Sequence, residues 1–370
     1  MTDWQLLAPD EDSLALADTA RAQFRSLHGP AVMRAGLDGE VPGGWEAVAD
    51  GGYADIGMPE EVGGVGRMID LVVMLEEAGR ALLTAPLLAS ALAFRTQVAA
   101  GVHREDFRRA PAGFGIAEGI VDGDGRCRVG RVHVLGGHGA AAFTLVVKGP
   151  DRGWVVVVDA GAEGVEPVGQ ATLIDPSRPL PAYRLGSEWE EGGEGSAVGG
   201  PGAGGVAGVA CVECREVPLG ELERVLAGAR VCVAADLLGI AAGALDGAVE
   251  HVLQRRQFGQ VIGAFQGVKH QVADAYTAVE RARSLVYGAA LSLGEEADVA
   301  VRDCLLANAV AAETAVRVAS LFTQLMGAMG VTFEADCHLF LRRAHQTACL
   351  LGEPDALYLA AARIERRISR

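Results

Sequence analysis

The sequence predicts an α+β fold in which helical and β-rich segments follow one another as separate blocks. Three observations predict it. Apolar positions recur at helical spacing in residues 1–110 and again in residues 221–370, whereas residues 111–220 contain short Val-rich runs bounded by Gly, Pro and Asp. This order of blocks is typical of proteins whose helical and sheet layers are segregated.

The N-terminal block, residues 1–110, is predicted to be a helical domain. Its first helix is indicated by six apolar positions near helical spacing: Leu14, Leu16, Ala17, Ala20, Phe24 and Leu27. Further helices are predicted for residues 68–83 and 86–99. The segment 58–66 carries three glycines, which indicates a loop before the helix over 68–83.

The middle block, residues 111–220, is predicted to be a small, mostly antiparallel β domain. Strands are expected at 143–147 and 154–158, and another around Val132 and Val134. The Gly-containing segment 113–125 is expected to be a loop. Residues 186–210 are so rich in Gly and so poor in large apolar groups that burial cannot offset their ordering entropy, and we expect a mobile loop there.

The C-terminal block, residues 221–370, is predicted to be a bundle of long amphipathic helices joined by short loops. Two apolar stripes at helical spacing run through residues 234–252 and 265–289. A third helix is expected over 297–326, and two shorter ones over 335–351 and 354–368.

Composition excludes several classes of protein. The chain carries 48 acidic and 32 basic residues, a net charge of −16, which argues against nucleic acid as the main partner. No basic region followed by an apolar run opens the sequence, so no signal peptide is expected. The longest apolar helix candidate, 231–252, is interrupted by Asp236, Asp246 and Glu250, so no membrane-spanning helix is expected. These features predict a cytoplasmic protein.

The seven cysteines are scattered and odd in number, which is typical of reduced thiols in a chain without an export signal. Cys211 and Cys214 have CxxC spacing, but no second pair or His cluster completes a zinc site. We therefore expect no metal centre.

The segment 255–266 (RRQFGQVIGAFQ) is the sharpest motif in the chain. It predicts a helix end with two cations, a Gly break, and a new helix that begins with the amide of Gln266. A helix dipole alone favours Arg at a helix C-terminus. It does not explain the following Gln257–Phe258 pair, which we expect to be buried. Cations and amides at a rigid helix junction suit a pyrophosphate and a nucleotide.

This segment resembles the flavin-contact motif of the acyl-CoA dehydrogenase family, R-x-Q-F-G followed by F-Q. Two further segments resemble that family. Residues 324–330 (QLMGAMG) are similar to its Q-x-x-G-G-x-G motif, and residues 59–66 and 76–80 are similar to its N-terminal domain. The resemblance spans nearly the whole chain. It implies an N-terminal helical domain, a small middle β domain, a C-terminal four-helix bundle, and FAD as cofactor.

The resemblance also implies which residues contact FAD. In this family the adenylate and pyrophosphate of each FAD lie against a neighbouring subunit. The implied contacts from this chain, with Phe258 as a packing wall, are Arg255, Gln257, Phe258, Gln266, Gln324, Gly327 and Ala328. Ala328 departs from the motif, which has a second Gly there, and its methyl group is expected to crowd a close backbone approach.

The family's reaction is α,β-dehydrogenation of an acyl-CoA, which requires an Asp or Glu as base to take the α-proton. The resemblance places that base at position 351 or position 229, and these positions hold Leu351 and Ala229. Glu353 lies two residues from the first position and is a candidate for a relocated base. Its alternative interpretation is an acidic residue that opens the last helix and is favoured by the helix dipole.

The half of the flavin site that a subunit provides to its own flavin ring looks degraded. The family's T-E-P-G-A-G-S-D loop has no counterpart in residues 113–125, and its W-I-T strand maps to residues 133–135, which contain no Trp. His133 and His270 are interpreted as packed or solvated side chains rather than catalytic ones. Asp236 is either a buried acid or the acceptor of a hydrogen bond within the bundle.

Three functional hypotheses follow. The first is a subunit that lacks the base and assembles as α2β2 with a catalytic paralogue, since the chain resembles such partner subunits of actinobacterial steroid side-chain acyl-CoA dehydrogenases. Its implied partners are an acyl-CoA substrate and an electron-accepting flavoprotein. The second is a self-sufficient homomeric dehydrogenase that uses Glu353. The third is a scaffold subunit that binds no flavin.

Overall fold

The computed structural model describes residues 9–27, 29–37, 43–102, 110–186 and 208–369. Within them the chain forms an N-terminal helical domain, a β domain and a C-terminal helical domain, so the predicted α+β architecture is confirmed. Most of the predicted Gly-rich loop 186–210 lies outside the described residues.

The N-terminal domain is built around a helix that is buried on every side. Its helices are α1 (Glu11–Leu27), α2 (Pro30–Leu37), α3 (Trp45–Asp50), α4 (Met68–Arg80) and α5 (Leu87–Ala100). Every residue of α4 from Ile69 to Gly79 is buried, as expected for a helix without a polar face. Helix α4 ends three residues earlier than its pattern suggests because the chain turns sharply at Leu82, whose φ is 53°.

The β domain contains the strands β1 (Ala112–Val121), β2 (Arg126–His133), β3 (Ala142–Lys148), β4 (Gly153–Asp159), β5 (Val165–Gln170), β6 (Pro181–Leu185), β7 (Val209–Ala210) and β8 (Glu213–Val217). The described strands form one sheet in the order β5-β6-β2-β1-β3-β4-β8, and β7 pairs with β2. The β1–β3 pair is parallel, and the other pairs are antiparallel.

The prediction that residues 113–125 form a loop is wrong, because most of them belong to β1. Three of the glycines that suggested a loop, Gly113, Gly115 and Gly119, are places of close strand packing. A Cβ atom on Gly113 would lie 2.6 Å from a methyl of Val134, and one on Gly115 would lie 2.8 Å from a methyl of Val132. Glycine inside a strand commonly marks such close approach.

The C-terminal domain contains α6 (Leu222–Gln254), α7 (Gln266–Ser292), α8 (Ala297–Met326), α9 (Cys337–Ala348) and α10 (Pro354–Ile368). Helix α8 is central and packs against the other four. Because α7 runs back along α6 and α8 runs back along α7, the C-terminal ends of α6 and α8 lie at the same end of the bundle as the start of α7.

Helices α4 and α6 join the two helical domains by direct backbone contact. A Cβ atom on Gly239 of α6 would lie 1.9 Å from the carbonyl oxygen of Glu76, and one on Gly79 of α4 would lie 2.1 Å from that of Asp236. Only glycine permits this approach, so the two helices cross with almost no side chain between them.

Two buried ion pairs join the β domain to the helical domains. Arg178, between β5 and β6, donates to both carboxylate oxygens of Asp236 on α6, at 2.8 and 3.0 Å. Arg343 of α9 is fully buried, pairs with Asp175 and donates to the carbonyl of Leu83 at 2.9 Å. Burial acts to raise the pKa of Asp175, but the charge of Arg343 and a hydrogen bond from Ser177 outweigh it and hold that pKa below its usual value. Asp236 is therefore a buried acid whose partner lies outside the bundle.

Two helical segments are long and apolar enough to span a membrane by length and composition, namely Leu219–Gln254 and Ala297–Val331. Their most apolar windows are 100% and 61% buried within the chain. Core helices of a helical bundle have the same composition, so the packing of α6 and α8 accounts for their hydropathy.

Candidate functional site

A short hairpin projects from the end of α6 and carries the centre of the predicted motif. Strands β9 (Arg256–Gln257) and β10 (Gln260–Val261) pair antiparallel around Phe258 and Gly259. Both of these residues have positive φ, 51° and 82°, as in a type I′ turn. Positive φ is normal for Gly but strained for Phe. The Phe258 side chain is 92% exposed and touches Phe265 edge-on, with ring centroids 6.1 Å apart.

The prediction that Gln257 and Phe258 are buried is wrong for the single chain, because both are exposed. A large aromatic side chain held in a strained, exposed conformation gains nothing from its own fold. Such features occur mainly where another molecule covers the residue. The hairpin therefore fits a surface that contacts a ligand or a second subunit.

The structure brings two of the motif segments, 255–266 and 324–330, together at one end of the bundle. Arg255 caps α6 and its carbonyl accepts a hydrogen bond from Ile262, and α7 begins at Gln266 directly after the hairpin. A cavity of about 420 Å³ is lined by Gln254 of α6 and Met326 of α8. Because Arg255 follows Gln254 and Gly327 follows Met326, these predicted contacts are neighbours in space.

The Gly motif after α8 is open to solvent. Gly327 ends the helix with a φ of 63°, and no atom lies within 4 Å of the position where its Cβ would be. Ala328 is exposed and does not have a positive φ, so its methyl group causes no strain in the chain itself. Gly330 is required for packing, since a Cβ there would lie 2.3 Å from the carbonyl of Thr323.

This end of the bundle presents the exposed cations Arg255 and Arg256, which suit an anion. Arg255 is exposed, and the described residues give its side chain no hydrogen-bond or ion-pair partner. Burial lowers the pKa of His251, one turn earlier on α6, and the charge of Arg255 lowers it further. The start of α7 adds the backbone N–H groups of Gln266 and Gly267, whereas those of Val268 and Lys269 donate to the carbonyl of Phe265. Gln266 and Gln324 are both exposed beside this charge. The donor set fits the diphosphate of a dinucleotide such as FAD.

A groove of about 360 Å³ between α7 and α8 continues from Gln324, and the sequence analysis did not single out its other residues. Its polar lining includes Gln271, Asp274, Arg317 and Ser320. Arg317 and Gln324 are seven residues apart on α8 and therefore share a helix face. This seven-residue spacing is the feature of the sequence that could have predicted Arg317 and Gln324 on one face.

The two positions at which the resemblance places a base hold no acid in this chain. Ala229 is fully buried within α6. Leu351 lies in the loop between α9 and α10 with a φ of 62°, and Glu353 is the exposed residue that precedes α10. Glu353 lines a groove of about 640 Å³ whose described walls come from α7, α8, α9 and α10. None of these wall residues belongs to the β domain or the N-terminal domain.

One small cavity lies at the junction between the N-terminal and β domains. A cavity of about 40 Å³ lies there, between Pro86 and Ala89 of the N-terminal domain and Leu135 and His138 of the β domain. A volume of this size holds a water molecule, whereas ligand pockets commonly exceed about 300 Å³. His133, at the end of β2, is exposed, and His270 is exposed on α7.

Comparison with known proteins agrees with this architecture. Residues 10–103 match the acyl-CoA dehydrogenase N-terminal domain model, and residues 222–363 match the acyl-CoA dehydrogenase C-terminal domain model. The acyl-CoA dehydrogenase IpdE2 of Mycobacterium tuberculosis is 28% identical over 354 residues, which cover 94% of this chain and 95% of IpdE2.

Two solved structures are similar along nearly their whole length. The Tcur3481-Tcur3483 steroid ACAD has a TM-score of 0.77 at 24% identity and covers 97% of this chain and 99% of its own. The ChsE4-ChsE5 complex from Mycobacterium tuberculosis has a TM-score of 0.77 at 21% identity, with 98% and 99% covered. At these identities the likeness establishes the fold, while the two domain matches establish the relationship. The chain belongs to the acyl-CoA dehydrogenase family of oxidoreductases.

Proposed function

We propose that this chain is a subunit of a FAD-dependent acyl-CoA dehydrogenase and that it supplies the nucleotide-side contacts to a flavin whose ring is held by a catalytic paralogue. One observation carries the proposal. The Phe258 hairpin and the unpaired Arg255 are presented at an exposed bundle end, whereas the two base positions hold Ala229 and Leu351. The chain thus has residues that suit contacts to the nucleotide of a neighbour's FAD, and it lacks a carboxylate at either expected base position.

The side chains suit distinct tasks in such a complex. Arg255 would neutralise the FAD diphosphate, Gln266 and Gln324 would donate hydrogen bonds, and Phe258 would exclude water from the covered face. When bound, FAD accepts a hydride from the acyl β-carbon. The α-proton must go to a carboxylate, because neither an alanine nor a leucine side chain accepts a proton. Under this proposal the partner subunit supplies that carboxylate.

The partners follow from the same assignment. The substrate class is an acyl-CoA thioester, and an electron-accepting flavoprotein would reoxidise the flavin. Among the structural relatives, one is named as a steroid ACAD and another is a complex of two named chains. These names support a steroid acyl-CoA as substrate and an assembly of unlike chains. We propose a steroid side-chain CoA and an α2β2 arrangement for this chain.

Co-expression with a neighbouring paralogue tests the proposal. The expected product is a complex of unlike chains with one FAD per pair, active on acyl-CoA, whereas the chain expressed alone should hold little flavin. A homotetramer of this chain alone that carries about one FAD per chain and oxidises acyl-CoA would contradict it.

Arg255→Ala separates the proposal from a flavin-free scaffold. Loss of a charge-assisted contact should weaken FAD binding by the complex roughly tenfold or more, without dissociating the chains. Arg215→Met, at an exposed arginine of the β domain, is the matched control and should change nothing. If bound FAD is unaffected by Arg255→Ala, this end of the bundle serves assembly alone.

A self-sufficient enzyme that uses Glu353 is the second candidate, favoured by the exposure of Glu353 beside a large groove. Glu353→Gln should then lower turnover about 10²-fold or more. Under the main proposal the same variant, measured in the complex, retains full turnover.

A further inference from the structure

The β domain contains a cluster of three thiols, those of Cys127, Cys211 and Cys214. Cys127 lies in β2 and is fully buried, Cys211 directly follows β7, and Cys214 lies in β8 and is exposed. The thiol of Cys211 is hydrogen-bonded to both of the other thiols. The cluster therefore runs from the core of the β domain to its surface, where the sulfur of Cys214 is accessible to small molecules in the solvent.

The polypeptide crosses between two parts of the sheet at this cluster. Strand β7 pairs with β2 and strand β8 pairs with β4, although β1 and β3 lie between β2 and β4 in the sheet. The backbone N–H of Cys211 donates to the carbonyl of Gly125 at 3.1 Å, and that of Val212 donates to the carbonyl of Val157 at 2.7 Å. Cys211 is thus held on one side of the crossing, and Cys214, which pairs with β4, is held on the other.

The contact between Cys211 and Cys214 suits a disulfide. Thiols that are already hydrogen-bonded need only a rotation of their side chains to bring the sulfurs to the S–S distance of about 2 Å. The C-x-x-C spacing is one that redox-active cysteine pairs use. Cys127 also contacts Cys211, but it is fully buried, so an oxidant from the solvent reaches Cys214 first. The exposed end of the cluster therefore determines which pair reacts.

We propose that Cys211 and Cys214 form a redox modification site at which a hydroperoxide oxidises the two thiols to a disulfide. The thiolate of Cys214 attacks the terminal peroxide oxygen, the O–O bond breaks, and Cys214 becomes a sulfenic acid while hydroxide or alkoxide leaves and takes up the thiol proton. The sulfur of Cys211 then attacks that of Cys214, the S–O bond breaks, and water leaves. The two thiols lose two electrons and two protons, and the peroxide that accepts them is reduced to two molecules of water, or to one of water and one of an alcohol.

The hydrogen bonds within the cluster favour the protonated thiols. The hydrogen bond to Cys127 raises the pKa of Cys211 to about 12, and the hydrogen bond to Cys211, together with partial burial, raises the pKa of Cys214. The reduced pair therefore gains no stability from a thiolate near neutral pH, so the disulfide is not easily reduced once formed. Because the thiolate is the nucleophile, the oxidation rate should rise roughly tenfold per unit between about pH 7 and about pH 9.

Peptide mass spectrometry of the full chain tests the proposal. Trypsin cleaves after Arg184 and Arg215, so Cys211 and Cys214 share the peptide 185–215, whereas Cys127 lies in another peptide. The reduced chain is treated with hydrogen peroxide, unfolded and alkylated. Two of the seven cysteines should then escape alkylation, and the peptide 185–215 should lack two hydrogens. Dithiothreitol should restore both thiols.

Three single variants make the test specific. Cys214→Ser should abolish the disulfide, while Cys127→Ala should leave it intact. Cys349→Ser removes an exposed thiol at the end of α9 and is the matched control, which should also leave the disulfide intact. The proposal is overturned if the unmodified chain keeps all seven thiols, if Cys127 becomes linked to the peptide 185–215, or if the loss of two thiols persists in Cys214→Ser. The chemistry does not involve FAD, so each of these outcomes leaves the proposed function standing.

Discussion

Phe258 combines two features that cost an isolated chain stability. Its backbone is in the left-handed region, and its ring is 92% exposed to water. Left-handed backbone costs a residue with a Cβ about 1–2 kcal/mol, and exposure means that no burial compensates for it. Asn tolerates this conformation, and Asn followed by Gly is the preferred pair in type I′ turns.

Phe258→Asn should therefore stabilise the isolated chain while it weakens the complex. We expect the free energy of unfolding of the chain alone to rise by about 1 kcal/mol, measured by urea denaturation. Flavin retention by the complex with its paralogue should fall. Tyr276→Asn, at an exposed aromatic residue in regular helix α7, is the control and should not stabilise the chain. Destabilisation by Phe258→Asn would indicate that the ring already packs within the single chain.

His251 reports on the charge at the candidate site. Burial lowers its pKa and Arg255 lowers it further, so Arg255→Ala should raise that pKa towards the ordinary value of about 6.5. Because the folded-state pKa is depressed, the neutral ring contributes stability above the unfolded-state pKa, and this contribution is lost as the pH falls below about 6.5. Arg255→Ala should reduce this pH dependence.

An NMR titration of the His251 ring, assigned with His251→Gln, measures the effect. Arg256→Ala removes the adjacent exposed cation and should leave the titration of His251 nearly unchanged. Equal shifts of the His251 pKa in Arg255→Ala and Arg256→Ala would contradict the prediction that Arg255 is the cation that lowers this pKa.

At the scale of elements, the crossing of α4 and α6 depends on two glycines. Gly239→Ala would place a methyl carbon 1.9 Å from the carbonyl oxygen of Glu76, so the helices must separate. We expect a loss of about 1–3 kcal/mol in the free energy of unfolding, the usual cost of overpacking. Gly288→Ala, in α7 with nothing within 4 Å of the new methyl group, should instead stabilise the chain by about 0.5–1 kcal/mol. Thermal unfolding of the two variants decides whether the crossing is as tight as described.

Helix patterns in the sequence located elements well where one face is apolar over many turns. The helices predicted over 297–326 and 354–368 have these bounds in the structure. The Gly-rich start of the β domain was misassigned because the same residue marks both loops and close strand contacts. Burial of Phe258 was misassigned because an apolar side chain favours burial, but the sequence does not show whether its own chain or another molecule buries it. The partner of Asp236 was not predictable, since Arg178 lies 58 residues away in another domain.

At the scale of the whole molecule, the buried charges hold three domains in one arrangement. Arg178 and Asp236 connect the β domain to α6, and Arg343 connects Asp175 to the turn after α4. The small cavity beside Pro86 and Leu135 lies next to this junction and is lined in part by Arg178. A charge network of this kind resists separation of the β domain from the two helical domains.

Asp236→Asn should strongly destabilise the chain because it leaves the buried Arg178 without the carboxylate that pairs with it directly. The expected loss is about 3–5 kcal/mol in the free energy of unfolding, measured by denaturant titration. The double variant Arg178→Met with Asp236→Leu should recover most of that loss, since apolar replacements of similar volume often substitute for a buried ion pair. If the double variant is as unstable as Asp236→Asn, the pair contributes more than mutual neutralisation.

The exposed hairpin also bears on how such a chain is produced in a cell. Under the proposed function a partner covers the hairpin, and until it does, Phe258 presents an exposed aromatic ring beside Arg255 and Arg256, the kind of feature to which other proteins adhere. Under that proposal, an excess of this chain over its partner would therefore favour aggregation or nonspecific binding. Translation of the two chains in equal amounts from one shared mRNA would keep each new copy close to its partner. It would shorten the time for which the Phe258 side chain is exposed to solvent.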